Sequence, residues 1–441
     1  MSDEKVKALE VRRSSRLSGF YQQSPERRRA RLVETRWLAP EEAKACEGLG
    51  GFDEACADSM VENVIGLHGL PLGVALNFVV NGKDRLLPMA VEEPSIIAAA
   101  SYAARLCSEG GGFLVEAEPP ITTAQVQLLE VPSLVSARER LQAHAHEVLA
   151  EANARMPAMC ARGGGARELE VRVLDGSTLV VHLHVDTRDA MGANLVNTLA
   201  EALAPRLAAL SGGRAGLKIL TNLADRRRVK VCTRVPVQAL ASASFPDGGA
   251  VRDAILEAQR FAELDVYRAV THNKGVMNGV DAVLVACGND WRAVEAGAHA
   301  YAARQGAYRP LTDWWMGPEG ELCGRLELPL ATSTVGGAAR PHPGVQRALR
   351  LAGVTGAVDL AGLAGAAGLA TNLSALKALS TEGIQKGHMS LHARRVAAEA
   401  GASGELVGII AERLSHERVY RPERARELLA AEVAQRKEAR R

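Results

Sequence analysis

Lys274 and Asp290 flank an apolar run from Ala282 to Cys287, so two ionisable groups border a hydrophobic interior. A lysine kept charged by a carboxylate in a water-poor cleft can take up negative charge developing on a substrate oxygen. The apolar run reads as a buried strand or core segment. Gly275, Gly279 and Gly288 would let the backbone turn tightly and come close to a bound molecule. Asn289 or Asp290 suits the cap of the Ala-rich helix that follows. The plainer alternative makes Asp290 only a cap and Lys274 a solvated loop lysine.

Three more stretches carry groups of interest. Glu93 and Ser95 stand in Glu92-Glu93-Pro94-Ser95, just before the helix-like IIAAASYAARL, where exposed N–H groups favour negative charge. In Arg188-Asp189-Ala190-Met191-Gly192-Ala193-Asn194, a glycine at a helix start offers free N–H groups to a diphosphate. No GxGxxG follows a strand, so this is not a Rossmann fingerprint. His388 and His392 share one helical face, as two metal ligands can. With no HExxH glutamate and no third ligand in view, an acid/base or ligand-binding role is expected instead, and no metal.

The elements that must position these groups alternate in kind. Apolar runs around Asn81-Gly82 predict a hairpin. From about Glu116 to Leu223, strand-like AQVQLLEV, ELEVRVLDG, TLVVHLHVDT and GLKILTNL alternate with helices expected at Ser136 to Arg155 and Ala193 to Leu210. That order suggests an inserted split βαβ, ferredoxin-like unit. Beyond it come a helix from Gly249, the Lys274–Asp290 stretch, a strand-like GRLELPLA and an Ala/Leu-rich helix to Leu379. Charged helices close the chain after a polar, Gly-flanked hinge at Ser380 to Gly387.

With 441 residues and 47% apolar content, the chain can form two or three domains with a sizeable core. Apolar runs are too short to span a membrane, and no signal-like h-region opens the sequence, so the cytoplasm is expected. Seven widely spaced cysteines, never in CxxC, indicate neither a disulfide framework nor a zinc site. A net charge of +2 and 4% aromatics argue against nucleic acid. The basic clusters Arg27 to Arg31, Arg226 to Lys230 and Arg436 to Arg441 read as solvated faces, with a phosphate anchor as the competing idea.

Taken together, ENVIGLHGLPLGVALNF, VEEPSIIAAASYAA, RDAMGANLVNT, ILTNLADRR, YRAVTHNKGVMNGVDAVLVACGNDWRAVEAGAHAYAAR, TVGGAARPHP and TEGIQKGHMSLHAR form an ordered set from about Glu62 to Arg394. The set resembles class II (bacterial) hydroxymethylglutaryl-coenzyme A (HMG-CoA) reductases. The resemblance implies catalytic roles for Glu93, Lys274, Asp290 and His388. It implies substrate binding by Ser95, Arg268, Asn278 and His392, with Asn222 near the ligand, and nucleotide binding by Asp189, Met191, Gly192 and Asn194. The fold implied is α+β: a large, mainly helical domain around the helix after GNDW (1–115 and 225–379), an inserted non-Rossmann nucleotide-binding domain (116–224) and a C-terminal flap (380–441). The activity implied is NAD(P)-dependent interconversion of HMG-CoA with mevalonate and CoA through mevaldehyde. A homodimer or higher assembly of dimers is expected, without nucleic acid or membrane. Where NAD-using relatives carry an aspartate towards the adenosine ribose, this chain has Met156 beside Arg155, a departure that weakens the cofactor assignment; closeness to the degradative branch favours NAD(H), with NADP(H) the alternative. A reductase of another acyl-CoA and a non-catalytic CoA- or nucleotide-binding regulator are the rival readings.

Overall fold

The computed structural model describes residues 13–336 and 341–438, with the backbone alone for 384–391 and 437–438. Ten strands run β1 (Leu72–Val80), β2 (Lys83–Ala90), β3 (Phe113–Ala117), β4 (Ile121–Leu129), β5 (Gly165–Val173), β6 (Leu179–Asp186), β7 (Arg214–Leu220), β8 (Arg228–Val235), β9 (Thr312–Met316) and β10 (Leu322–Pro329). They form a six-stranded sheet, β2-β1-β3-β8-β10-β9, and a four-stranded sheet, β5-β6-β4-β7. The hairpin at Asn81-Gly82 forms as expected: both residues have positive φ, 48° and 73°, the conformation a two-residue turn requires.

The smaller sheet is antiparallel throughout. Helices α1 (Leu134–Ala143) and α2 (Ala145–Ala154) cross over from β4 to β5, and α3 (Ala193–Ser211) from β6 to β7. Two helical crossovers, each skipping one strand position, give the split βαβ arrangement that the strand-helix alternation implied. One helix expected over Ser136 to Arg155 is instead two, broken at His144, whose Nδ1 lies 2.9 Å from the Arg140 carbonyl oxygen.

The large core is centred on α6 (Ala357–Ser380), rather than on the helix after GNDW, α5 (Trp291–Ala302). Its AGLAGAAGLA sequence is apolar on every side, as a helix enclosed all round must be. Glycines make the approach possible: a Cβ at Gly362 would lie 2.7 Å from Val115, at Gly365 2.9 Å from Val231, and at Gly368 2.8 Å from Val280. So α6 lies between the larger sheet and α4 (Val266–Ala286).

Residues 13–38, an N-terminal arm, are docked on the large domain. Leu17, Phe20, Leu32 and Trp37 bury themselves against Leu86 and Leu351, and the Ser15 hydroxyl donates to Asp84 at 2.6 Å. Three helices, Ile384–Glu399, Glu405–Glu417 and Pro422–Glu438, form a C-terminal unit with its own core of Val396, Ile410, Leu414 and Leu428. Among the described residues no helix is long and apolar enough to cross a membrane.

Candidate active site

Lys274 is carried by the interior of α4, not by a loop, and the apolar run after it is the second half of the same helix rather than a strand. The 3.6-residue periodicity was hidden because α4 packs on several sides. Gly279 does not turn the backbone; it admits α6, since a Cβ there would lie 2.4 Å from the Ala367 carbonyl oxygen. Only Gly288, with φ 62°, makes the turn expected of these glycines.

The residues just before Lys274 are fixed by buried polar contacts. Asn273 donates to the Arg309 carbonyl at 2.9 Å and accepts from the Leu311 N–H at 2.8 Å. His272 Nε2 lies 2.5 Å from the Thr312 hydroxyl and 3.0 Å from the Asn372 amide, while Trp314 donates to Asn372 at 2.8 Å. Burial, helped by Arg268, pulls His272 down to about 3, so it is a neutral strut at physiological pH.

From this support Lys274 Nζ donates to Glu93 Oε2 at 2.7 Å. Glu93 sits in the link from β2 to the helix Ile96–Glu109, where Ser95 takes a left-handed φ of 77°. Such a conformation costs a non-glycine residue about 1 kcal/mol, and here it turns the chain sharply beside the carboxylate. The two side chains are 58% and 36% exposed, too open for the pair to add much stability. Its chemical value is a cation and a proton-exchanging carboxylate in contact, at an accessible place.

Asp290 is the cap of α5, accepting from the Ala293 N–H at 3.1 Å, and Arg292 approaches to 3.8 Å. No hydrogen bond or ion pair among the described residues joins it to Lys274 or Glu93, so of the four expected catalytic groups Lys274 and Glu93 are the pair in direct contact. Its neighbour Asn289 clasps Ser333, accepting from that N–H at 2.6 Å and donating to its carbonyl at 3.2 Å. Asp281, which sequence reasoning passed over, lies further along α4, and burial together with Glu295 pushes its pKa well above the usual carboxylate range.

Ser95 and Glu93 line a groove of about 1110 Å³ whose walls include Leu72, Ile97 and Tyr102, with Arg16, Arg29 and Arg105 among its basic residues. The arm thus supplies arginines to a groove that begins at the Lys274 partner. Arg268 is half-buried on α4, and burial lowers its pKa; its backbone N–H donates to Asp265 at 2.8 Å. Asn278 lies one turn beyond Lys274, and Asn222 is exposed after β7, its carbonyl oxygen 2.6 Å from where a Cβ on Gly297 would be. No hydrogen bond among the described residues ties the side chains of these three, or of Ser95, to the Lys274–Glu93 pair.

Gly192, φ 90°, opens α3 as expected, and Asn194 is in its first turn. Asp189 Oδ1 accepts from the Ala357 N–H at 2.8 Å, tying this loop to the start of α6, and the Asp189 carbonyl accepts from Thr334 at 3.0 Å. Thr122 donates to the Met191 carbonyl at 2.8 Å. The loop borders a cleft of about 730 Å³ lined by Met159, Arg162, Arg188, Asp189, Ser333 and others. A helix start, main-chain donors and two arginines fit a dinucleotide there. Met156 is 4% exposed within the core of the small sheet, so it presents nothing to a ribose.

Arg227 corrects the reading of its basic cluster as a solvated face. It is 3% exposed, donates to the Ala190 and Thr332 carbonyls, and is pulled down to about 10 by burial against the attraction of Asp186 and Asp189. Arg228 beside it pairs with Glu118 on the surface. Arg227 sits in the bend just before β8, where the chain turns its side chain inward while Arg228 opens the strand. His388 belongs to the helix Ile384–Glu399, but its side chain lies outside the described residues, as do Gly337 to Arg340. His392 is exposed, its ring 5.9 Å from that of Tyr420 within the C-terminal unit.

A profile of the family described as hydroxymethylglutaryl-coenzyme A reductase matches residues 24–393. The chain belongs to this family. It is 43% identical over 428 residues to the 3-hydroxy-3-methylglutaryl-coenzyme A reductase of Archaeoglobus fulgidus, with 96% of each chain covered. A probable reductase from Borreliella burgdorferi is 32% identical over 344 residues, 77% of each. Among solved structures, the reductase from Streptococcus pneumoniae superposes with a TM-score of 0.80 at 39% identity, covering 94% of this chain and 99% of the other. A class II reductase from the same organism, bound to NADPH in open conformations, gives 0.79 at 40% identity, covering 82% and 99%. The function is that of an HMG-CoA reductase, an oxidoreductase of the class II type, and the α+β architecture is the class II one.

Proposed function

We propose that the chain interconverts HMG-CoA with mevalonate and free CoA in two hydride steps through mevaldehyde, with Glu93, Lys274, Asp290 and His388 as its catalytic groups. The observation that carries this reading is the 2.7 Å contact between Lys274 and Glu93 on a clamped helix. Protonated Lys274 stabilises the charge that builds on the thioester oxygen, and Glu93 exchanges a proton with the resulting alkoxide. Asp290 keeps the lysine charged and aimed. When the thiohemiacetal collapses, His388 protonates the departing CoA thiolate, which stops it re-attacking. Arg268 and Ser95 grip the free carboxylate of the substrate, with Asn278, Asn222 and His392 completing its contacts. The arginine-bearing groove beside Glu93 suits the phosphates and pantetheine of CoA.

Bound reduced nicotinamide supplies the hydride. Asp189, Met191, Gly192 and Asn194 would hold the dinucleotide at the start of α3, in the small domain 116–224, with NAD(H) favoured over NADP(H). The segment 380–441 acts as a flap that brings His388 in for thiol protonation and lets spent cofactor leave. Asp290 is not joined to Lys274 within one chain, which supports a site completed by a second copy in a homodimer or a higher assembly of dimers. Exposed Phe261, Leu264, Tyr267 and Val270 beside the start of α4 favour such self-association. The expected compartment is the cytoplasm.

The test is nicotinamide oxidation by purified protein with HMG-CoA, against a panel of other acyl-CoA thioesters, comparing Michaelis constants for NADH and NADPH. Turnover confined to another thioester would replace the substrate assignment. Binding of CoA without turnover of any thioester would make the chain a regulator.

A further inference from the structure

The face of the small sheet turned away from its helices carries a cluster that the reaction does not use. His182 and His184 alternate along β6, so both point to this face. Glu170 on β5 stands directly opposite His182, and Thr123 and Gln125 on β4 stand opposite His184 and His182. Ligand-type atoms of Glu170, His182 and His184 all lie within 4.8 Å of one another. The histidines are only 8% and 3% exposed, although they face no apolar core.

We propose that Glu170, His182 and His184 form a binding site for a divalent transition-metal ion of borderline softness, with Zn²⁺ as the reference ion. Two imidazoles and one carboxylate are the donor set such ions take from proteins. His182 Nε2 lies 2.9 Å from the Gln125 amide nitrogen and 3.5 Å from Arg172 Nη1; both are donors, so Nε2 is unprotonated and an ion takes its lone pair by displacing them. Thr123 Oγ1 lies 2.8 Å from His184 Nδ1 and can hold that ring by its far nitrogen, leaving Nε2 to the ion. Without metal, His184 Nε2 meets Glu170 Oε2 at 3.2 Å, an N–H to carboxylate bond that a shift of tautomer opens. Burial lowers the pKa of both histidines, which keeps them in the neutral, ligating form.

Arg172, beside His182, and Arg226, beside Glu170, limit the affinity. Arg226 contacts Glu170 at 3.2 Å but is also held by Glu168 at 2.7 and 3.3 Å, so it can withdraw to Glu168 when an ion enters. The ion would staple β5 to β6, the strand that runs directly into Thr187–Gly192. It would have no contact with substrate.

The experiment uses untagged full-length protein dialysed against EDTA and titrated with Co²⁺, followed by its visible ligand-field absorption, and with Zn²⁺ by calorimetry. One ion per chain is expected. His184→Asn, His182→Asn and Glu170→Gln should each weaken binding by about tenfold or more, and Thr123→Val by about tenfold. Arg226→Ala should tighten it, because a competing cation is removed. Binding that is absent, or equal in the wild type and Glu170→Gln, would overturn the proposal. Should a histidine variant fail to fold, the partly exposed Glu170 and Arg226 variants decide the matter alone.

Discussion

Two glycines one turn apart on α4 should respond to alanine with opposite signs. At Gly275 the added Cβ would meet only Ala375 Cβ, at 3.9 Å, an ordinary contact. Helix propensity then dominates, and Gly275→Ala should stabilise by about 0.5–1 kcal/mol. At Gly279 the same methyl would lie 2.4 Å from the Ala367 carbonyl oxygen and 2.6 Å from Thr371 Oγ1. The first of these is backbone of α6, which cannot rotate aside. The two helices must separate by about 1 Å, and overpacking of that kind costs about 1–3 kcal/mol. After the propensity gain, a net loss of up to about 2 kcal/mol is expected. Since α4 carries Lys274, the shift should also lower kcat by about 10–100-fold. Calorimetric scans of both variants at one scan rate, with HMG-CoA turnover measured alongside, give the comparison. If Gly279→Ala melted with or above Gly275→Ala at full activity, the close packing of α4 on α6 would be refuted.

Lys274→Met should reduce thioester turnover by about 10²–10³-fold with little change in melting temperature, because the removed pair is exposed. His388→Gln should impair the thioester step far more than reduction of added mevaldehyde; equal losses would contradict its role as thiol acid. Arg227→Met leaves the buried Thr332 carbonyl without the Arg227 donor, while Ala190 keeps that of Thr187, so it should destabilise by about 1–3 kcal/mol and raise the nicotinamide KM more than that for HMG-CoA. His272, held down to about 3 when folded, binds its proton more readily unfolded. Its contribution is complete above about pH 6.5 and is lost as pH falls towards 3, reaching about 2 kcal/mol by pH 5. Denaturation midpoints from pH 7.5 to 5 should show that slope, and His272→Gln should flatten it.

The site was legible in the sequence wherever chemistry and local structure coincide. Asp290 reads as a helix cap and is one; Asn81-Gly82 reads as a two-residue turn and makes one. Gly192 reads as a helix start, and the strand-helix alternation of 121–220 yields the split βαβ order. Each depends on a few adjacent residues, so no distant partner could alter the outcome. The ordered motifs likewise carried the family.

What failed were inferences that needed to know what lies on every side of an element. The apolar run after Lys274 lost its helical period because α4 is enclosed, and Gly279 was taken for a turn when it is a contact. Arg227 was counted with solvated charges, although the bend before β8 turns it inward onto two carbonyls. Met156 was weighed as a ribose-facing position and is instead core. Types and order of the reactive groups belong to the sequence, since they follow from side-chain chemistry and chain-local geometry. That Glu93 meets Lys274 across a sequence separation of 181, while Asp290 does not, was decided by tertiary packing, because only the seating of α4 against α6 and the sheet determines where a lysine amine ends.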